Sequence, residues 1–399
     1  MHIASSDIRL RKITDPEGRV RPYLVRDGIP LVLPNLWIDE VSSSAGPNTA
    51  DAYLRDIALV YRWAATDGCV LEDRLRRLQG FSSREIYAVA EELCRTRLKK
   101  KASRATCTRR FESVKSFIRY CFDFFIEINR LNLSDQAQAE KNYTKQIMSL
   151  RRLIRRHINS AQFGSVSTEL SNSDLAVIES IIDPDSTKNP FKSRNIKIRN
   201  YCLFHVAIEI LARRGELVLL EVEDVNAFGD PTITIKPPSV NNKFKRLDGA
   251  SLKTRGRMVP ITNKLARNLR EYLDVVRPQF LIPRRPAKAL FLSARDGRRL
   301  SSYTINQIIK TIASHPDVVE MKKRLHPHAL RVAGANLVRD KITAAGKSSG
   351  MEIVDALSYL GGWAQDSNMV AKYSRASISE RLGFILRGGK SGSDNDQDN

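Results

Sequence analysis

Apolar side chains recur every three or four residues through much of the chain between residues 37 and 158, a period typical of amphipathic helices. One helix is predicted to begin at Thr49 as its N-cap. Another is predicted to begin at Ser82, where Glu85 completes a capping-box pattern three residues later. Further helices are expected over 111–125 and 134–154. The pattern therefore predicts a small all-α region in the first half of the chain.

The second half of the chain mixes helical and strand periodicity. Ser171 and Asp174 indicate a helix start, and helical spacing continues between 201 and 211. The run Thr232–Ile235 predicts a short strand, and the stretch 251–261 predicts two strands about a glycine-containing turn, with Lys253 before the turn. Helical spacing returns over 265–277 and 302–313. We therefore expect a mostly helical domain with a small sheet.

The two ends of the chain have their own patterns. At the start, short apolar runs alternate with arginines, which predicts a small β-hairpin or an arm that lies on DNA. At the end, Gly, Ser, Asp and Asn leave too few apolar groups to fold. The Ser- and Thr-containing stretch 165–168 is the best domain boundary. The predicted organisation is an N-terminal extension (1–36), a helical domain (37–164), a second domain (165–387) and a disordered tail (388–399).

Charge indicates the kind of partner. The 399 residues include 66 Lys and Arg but only 44 Asp and Glu, which gives a formal net charge of +22 and a sequence pI near 10.0. Such an excess favours a polyanionic partner, and nucleic acid is favoured over an anionic membrane surface. Two cationic blocks lie in the predicted helical domain. A charge run is usually a solvated face, but two blocks in one domain favour contacts with DNA phosphates by Arg95, Arg97, Lys99, Lys100, Lys101, Arg104, Arg151, Arg152, Arg155 and Arg156.

The cysteines and the chain start bear on the cellular compartment. Five cysteines, an odd number with no CxxC, indicate reduced thiols and neither a zinc site nor a disulfide framework. The sequence contains no apolar run long enough to span a membrane and no signal-peptide pattern, so we expect a soluble, cytoplasmic protein. Without a Walker-type GxxxxGK[ST] motif or a carboxylate cluster, we expect neither ATP, nor a metal, nor any other cofactor.

Candidate chemistry is concentrated in the last quarter. His328 and Arg331 are three residues apart, which places them on the same side of a helix. A guanidinium can bind phosphate while an imidazole moves a proton. Farther on come Gly-Gly-Trp363 and Tyr373, a tyrosine between cationic residues.

The order of these residues resembles that of the tyrosine recombinases, the phage-integrase family, with a motif pattern most like the Cre branch. The resemblance covers roughly residues 168–387. It implies a helical core-binding domain and a mixed α/β catalytic domain that form a C-shaped clamp on DNA. The order along the chain is Arg213, Glu216, Lys253, His328, Arg331, Trp363 and Tyr373.

The resemblance also implies a role for each of these residues. Arg213 and Arg331 would clamp the scissile phosphate, with Glu216 in support of Arg213. Lys253 would protonate the departing 5′ oxygen, although Lys236, Lys243 and Lys245 in the same region stay open as alternatives. His328 would assist proton transfer from the nucleophile. Trp363 would take the position that is His or Trp in relatives, and Tyr373 would be the nucleophile.

The sequence departs from the family pattern in three ways. Val332 follows the second arginine where relatives often have His, and residues 343–350 are an expected insertion. The spacing from Trp363 to Tyr373 is one residue longer than in the Cre pattern.

The expected function is site-specific DNA strand exchange through a 3′-phosphotyrosyl intermediate, in a prokaryotic or mobile-element setting. The partners implied are double-stranded DNA with a recombination site and further copies of the chain, a dimer on a full site and a tetramer in the synapse. Two alternatives remain open: a type IB topoisomerase-like enzyme, and a catalytically silent DNA-binding protein of the same fold.

Overall fold

The computed structural model describes residues 7–18, 20–42, 46–96, 98, 100–159, 169–238, 246, 250–252, 254–283, 286–322, 324–344 and 350–363. The chain divides into two compact units. The first comprises Met1–Ser165 with Lys243–Leu247, and the second comprises Val166–Asn242 with Asp248–Asn399. Among the described residues, helices dominate both units and each unit has one three-stranded sheet, so the predicted fold class, mainly α with a small β-sheet, is confirmed.

The first unit opens with an antiparallel sheet of strands β1 (Ile8–Thr14), β2 (Val20–Arg26) and β3 (Ile29–Pro30), in that order. Asp27 and Gly28 join β2 to β3, and both have positive φ angles of 49° and 85°. A two-residue hairpin turn with positive φ at both positions matches the twist of the strands, and Asp-Gly is a favoured pair for it. Local sequence therefore explains this hairpin.

In the described residues of this unit, six helices follow the sheet. They are α1 (Val32–Ser42), α2 (Pro47–Thr66), α3 (Leu71–Arg76), α4 (Ser83–Cys94), α5 (Arg104–Ile128) and α6 (Leu133–Asn159). Their apolar faces, together with Leu24 of β2, enclose a core whose largest fully buried side chains include Trp37, Tyr61, Phe117 and Phe122.

The helix starts test the capping predictions. Ser82 and Glu85 form the predicted capping box at the start of α4. The prediction of Thr49 as an N-cap is wrong: the N-cap of α2 is Gly46, and Pro47 opens the helix. Proline is favoured there because its fixed φ suits a helix and its missing N–H would have no partner inside the helix.

The second unit is also mainly helical. Its helices are α7 (Asn172–Ile182), α8 (Arg194–Glu209), α9 (Arg214–Leu219), α10 (Asn263–Glu271), α11 (Ser302–Ala313), α12 (Pro327–Ala344) and α13 (Gly350–Gly361). Ser171 and Asp174 form a capping box at α7, as predicted. The helix predicted over 265–277 is regular only to Glu271 and continues as a π turn over Tyr272–Val276.

The sheet of the second unit corrects one prediction. Its strands are β4 (Val225–Asn226), β5 (Thr232–Ile235) and β6 (Arg257–Pro260), and β5 pairs antiparallel with both neighbours. The stretch 251–261 was expected to form its own two-stranded hairpin. Instead, β6 pairs with β5, and Ser251 and Leu252 lie outside any strand. A short strand pairs with whichever edge its apolar face can cover, and that choice is not local.

Two features bring the helices of the second unit together. Leu211 was expected to continue the helix, but α8 ends at Glu209 and Leu211 has a φ of 48°. The left-handed residue turns the chain sharply at that point. Gly334 lets α12 approach α8, because a Cβ on it would lie 2.2 Å from the carbonyl oxygen of Ile208. This contact brings the middle of α12 beside the turn at Leu211.

The cysteines carry free thiols, and four of the five are buried, Cys69 being partly exposed. Burial raises the pKa of the Cys121 and Cys202 thiols, which makes them poor nucleophiles. Every helix in the described ranges is too short or too polar to cross a lipid bilayer.

Candidate active site

Arg213 occupies the N-cap position of α9, directly after the turn at Leu211. Its backbone N–H donates to Glu216 Oε2 at 2.9 Å, and its Nη1 lies 3.6 Å from Glu216 Oε1. About a third of the side chain, 31%, is exposed. The predicted pair therefore forms at a helix start, where the carboxylate of Glu216 holds the backbone of Arg213 in place.

Arg331 reaches the same place from α12. Its side chain is 1% exposed; Nη1 donates to the carbonyl of Leu211, and Nη2 donates to the carbonyl of Gly361 at 2.7 Å. Arg213 Nη1 lies 3.5 Å from that same Gly361 oxygen. The two predicted arginines, far apart in the sequence, thus meet at one carbonyl oxygen.

Trp363 covers Arg331. The guanidinium carbon lies 4.9 Å from the centroid of the indole ring, a distance suited to a cation–π contact. The indole is 6% exposed and packs with Leu211, Val332 and other apolar residues in a small cluster. The structure therefore brings Trp363 together with Arg331.

Glu216 is the centre of a buried polar network. Thr254 Oγ1 donates to Glu216 Oε1 at 2.5 Å, and Arg257 Nη2 donates to Glu216 Oε2 at 3.1 Å. Burial alone would raise the pKa of Glu216, but the charge of Arg257 and the hydrogen bonds from Thr254, from Arg257 and from the Arg213 N–H lower it. Glu216 is therefore ionised, and its charge compensates the surrounding guanidinium groups.

Arg257 and Thr254 were not among the site residues predicted from the sequence. A signal was present for Arg257, since strand residues that are two apart face the same side and Arg257 shares the buried face of β6 with Val259. An arginine on a core-facing strand position requires a carboxylate or several acceptors, because burying a charge without a partner is costly.

His328 lies in the first turn of α12 and is exposed. Its ring is parallel to that of His326, with 6.3 Å between the centroids. His326 Nδ1 accepts a hydrogen bond from the backbone N–H of Ala329 at 3.1 Å, so this histidine, which the sequence analysis did not assign, caps the helix that carries His328 and Arg331.

Several predicted residues lie outside the described residues. They are Lys253 and Tyr373, the alternatives Lys243 and Lys245, the cationic residues Arg97 and Lys99, and the tail from 388. The remaining alternative, Lys236, is described: its ammonium group lies 2.6 Å from Glu223 and 3.1 Å from Asp224. The hydrogen bond to Glu223 is the largest contribution that raises the pKa of Lys236, which makes it a weak proton donor.

The described members of the two cationic blocks are all exposed, namely Arg95, Lys100, Lys101, Arg104, Arg151, Arg152, Arg155 and Arg156. Arg95 forms an ion pair with Glu91. Members of both blocks line a single cleft of about 400 Å³ between α5 and α6. Its lining comprises Arg104, Thr108, Phe111, Glu112, Arg151, Ile154, Arg155 and Ile158.

Comparison with known proteins identifies the family. The model of the phage integrase family matches residues 174–379. A structure of the Tn1549 transposon integrase in complex with transposon right-end DNA has a TM-score of 0.52 at 14% identity, covering 89% of this chain and 100% of that chain. At this identity, the likeness shows the fold alone.

Two further solved structures have lower TM-scores. XerH recombinase in a post-cleavage complex with a palindromic difH substrate has a TM-score of 0.46 at 14% identity, covering 89% of this chain and 95% of that one. A lambda integrase dimer bound to a COC′ core site has a TM-score of 0.42 at 14% identity, with coverages of 91% and 80%.

No curated protein matches the sequence at a significant level. The likeness to the Cre branch stays a prediction. Because the family model covers more than half of the sequence, the chain belongs to the phage integrase family.

Proposed function

We propose that this protein is a site-specific DNA recombinase that cleaves and rejoins DNA strands through a covalent intermediate on Tyr373. The observation that carries the proposal is the convergence of Arg213 and Arg331 on the Gly361 carbonyl oxygen, at 3.5 and 2.7 Å. Two guanidinium groups around one oxygen atom form an arrangement suited to an anionic phosphate. Charge-assisted bonds of this kind contribute about 1.5–3 kcal/mol each.

The two arginines have different access to DNA. Arg213 is 31% exposed and can contact a phosphate directly. Arg331 is 1% exposed, so phosphate contact there requires the side chains that cover it to move. Arg213 is therefore assigned to phosphate capture and Arg331 to stabilisation of the charge that develops during the reaction.

The reaction forms one phosphorus–oxygen bond and breaks another. The phenol of Tyr373 loses its proton and attacks the phosphorus, and the bond from phosphorus to the 5′ oxygen breaks. The 5′ oxygen takes a proton and leaves as a hydroxyl, while the DNA 3′ end stays attached to the tyrosine. About one tyrosine in a thousand is ionised at neutral pH, so positioned cations and a base are needed. Attack by a 5′ hydroxyl reverses the step and joins the strands.

Two residues are assigned to the proton transfers. His328 is exposed near the start of α12, one helical turn from Arg331, and it is proposed to assist removal of the tyrosine proton. Lys253 is proposed to protonate the leaving 5′ oxygen. It directly precedes Thr254, whose hydroxyl is bonded to Glu216 within the network around Arg213.

Binding to DNA is assigned to the cationic cleft of the first unit. The exposed Arg104, Arg151 and Arg155 would contact phosphates, which position the protein without reading sequence. The Tn1549 integrase structure contains its transposon-end DNA. We propose that this chain likewise binds double-stranded DNA, as a dimer on a full site and as a tetramer when two sites meet.

A covalent-capture experiment tests the proposal and identifies the DNA site in the same step. Nicked duplexes with randomised cores are incubated with the protein, and adducts that survive denaturation are isolated and sequenced. The nick lets the short 5′-hydroxyl fragment diffuse away, so cleavage becomes irreversible. The adducts of the wild-type protein are expected to share a common DNA sequence. Peptide mapping of these adducts is expected to show that the DNA is attached to Tyr373. Failure of the wild type to form an adduct on any duplex would contradict the proposal.

The captured duplex then separates the two enzymatic alternatives. A plasmid with two copies of the captured site is expected to yield recombinant circles. Relaxation of a supercoiled one-site plasmid with no recombinants from the two-site plasmid would identify a topoisomerase instead.

A further inference from the structure

Arg257 makes an unusual set of contacts for a residue of β6. Its side chain is 1% exposed, and three of its nitrogen atoms donate to three acceptors. Nε donates to the carbonyl of Leu360 at 2.7 Å, Nη1 to Thr254 Oγ1 at 2.9 Å and Nη2 to Glu216 Oε2 at 3.1 Å. One planar group thus connects three separate segments of the chain.

Each of these segments either carries a residue of the proposed reaction or contacts one. Glu216 holds the backbone N–H of Arg213 at 2.9 Å. Leu360 directly precedes Gly361, whose carbonyl receives both Arg213 and Arg331. Thr254 directly follows Lys253 in the sequence. Arg257 therefore connects the arginine pair to Thr254, the residue that follows the proposed proton donor in the sequence.

The network is closed and tightly packed. The Thr254 hydroxyl accepts from Arg257 and donates to Glu216 Oε1 at 2.5 Å, so three side chains form a ring of hydrogen bonds. Gly362, with a φ of +60°, lies against this ring: a Cβ there would be 2.8 Å from Arg257 Nη1 and 2.8 Å from Thr254 Cβ. Little room is left for the ring to move relative to the 361–363 turn.

Stability alone is a weak reason for such an arrangement. A buried ion pair is often no more stabilising than apolar side chains of the same volume, because desolvation offsets the attraction. A guanidinium has one property that an apolar group lacks: it fixes the direction of several acceptors at once. That property is useful where catalytic groups must keep a set geometry.

We infer that Arg257, acting through Thr254, is a positioning residue of the strand-cleavage reaction. It holds Thr254, the sequence neighbour of Lys253, in hydrogen-bond contact with Glu216 of the helix that begins at Arg213, and it also bonds the carbonyl of Leu360 beside Gly361. This inference rests on the proposed function. Arg257 is 1% exposed and acts through its neighbours without touching DNA. If Thr254 loses its hydroxyl, the chemistry that depends on Lys253 is impaired, and chemistry that does not need a proton donor is spared.

The experiment compares two versions of the captured duplex, one with an ordinary scissile phosphate and one with a 5′-bridging sulfur. Sulfur leaves without help from an acid, so its cleavage does not require the proton donor. Thr254→Val keeps the shape and removes the hydroxyl. It is expected to slow ordinary cleavage by at least about tenfold and cleavage of the sulfur substrate by less than about threefold. Thr254→Ser, which keeps the hydroxyl, should restore both rates.

Two further variants test Arg257 itself. Arg257→Lys keeps the charge, but one ammonium nitrogen cannot span the acceptors that Arg257 reaches from three separate nitrogen atoms, so it should show the same substrate-selective loss. Met258→Ala alters a 56% exposed side chain on the same strand and should change neither rate. Melting temperatures of all variants identify any that do not fold, and Thr254→Val and Thr254→Ser decide the outcome if Arg257→Lys does not fold.

The possible results are distinct. Equal slowing of Thr254→Val on both substrates, or no slowing on either, would overturn the positioning role. An absence of adducts from the wild-type protein would contradict the proposed function, and the positioning role that rests on it would be rejected as well.

Discussion

Arg257 Nη2 and Glu216 Oε2 form an ion pair at 3.1 Å in which both side chains are only 1% exposed. Arg331 Nη1 lies 3.9 Å from the same carboxylate oxygen. The single negative charge of Glu216 therefore compensates two buried guanidinium groups. Removal of one partner from such a pair leaves an uncompensated buried charge, which is far more costly than the loss of an exposed pair.

Glu216→Gln is expected to lower the free energy of unfolding by about 3–5 kcal/mol, because it keeps the shape and removes the charge. Glu223→Gln is the matched control, since that glutamate is 63% exposed in its pair with Lys236 and its replacement should leave the free energy of unfolding almost unchanged. Urea unfolding followed by circular dichroism measures both values. Similar losses of unfolding free energy in the two variants would show that a buried ion pair is no more costly to break here than an exposed one.

Gly362→Ala should impair folding and cleavage because its Cβ would collide with Arg257 and Thr254 at 2.8 Å. Gly229→Ala is a suitable control: its φ is also +60°, and nothing lies within 4 Å of the added Cβ. Both variants carry the strain of a left-handed alanine, about 1–2 kcal/mol, so their difference isolates the collision. Melting temperatures and adduct yields are compared, and equal effects would mean that the turn tolerates a side chain.

Tyr373→Phe should abolish covalent adducts while DNA affinity stays within a few-fold, because one hydroxyl is lost from a largely electrostatic interface. Gel-shift titration and denaturing electrophoresis measure the two properties on the same duplex. Adducts that persist in this variant would place the nucleophile on another tyrosine.

Arg213→Lys and Arg331→Lys should each reduce cleavage by orders of magnitude, since an ammonium cannot reproduce the planar fork. Their effects on stability should differ. Arg213 is 31% exposed, whereas Arg331 is 1% exposed and bonds two carbonyl groups, so only Arg331→Lys should lower the melting temperature substantially. Wild-type cleavage by Arg331→Lys would contradict its assignment to the phosphate.

Replacement of Arg104, Arg151 and Arg155 together by glutamine should weaken DNA binding and reduce its salt dependence. Each lost phosphate contact lowers the slope of log affinity against log salt by about 0.9. Arg55→Gln is the control, because that side chain is 66% exposed and is paired with Asp51 on α2. An unchanged slope in the triple variant would show that the cationic cleft does not contact phosphates.

Acid should destabilise the protein through His205. Burial lowers the pKa of this imidazole to about 4, although the negative charge of Glu179 acts to raise it. Lys264, Asp183 and the Tyr201 ring also lie near the imidazole. The folded state therefore binds fewer protons than the unfolded chain between pH 4 and about 6.5. Stability is fully present above that range and is lost as pH falls through it, by about 1.4 kcal/mol per unit at most.

His205→Phe keeps an aromatic ring in the buried site and removes the titrating group, so its stability should vary less with pH over this range. Urea unfolding of both proteins at pH 7.5 and pH 5 measures the difference. Identical pH dependence in the two proteins would assign the acid sensitivity to other groups.

Sequence alone determined the features that depend on neighbours along the chain. The capping boxes at Ser82 and Ser171 and the period of α5 and α11 were predictable, because a helix is set by residues within one or two turns. The order of Arg213, His328, Arg331 and Trp363 was also readable in the sequence, since order needs no coordinates. Thr49 failed as a cap because Pro47, two residues earlier, was the stronger local signal.

Only the tertiary structure decided which distant segments meet. The pairing of β5 with β6, the convergence of Arg213 and Arg331 at Gly361, and the burial of Arg257 beside Glu216 each join residues far apart in the chain. Such contacts depend on how helix and sheet faces pack, for example on the close approach of α12 to α8 that Gly334 permits. Periodicity reports which face of an element is apolar, but it carries no information about the partner that covers that face.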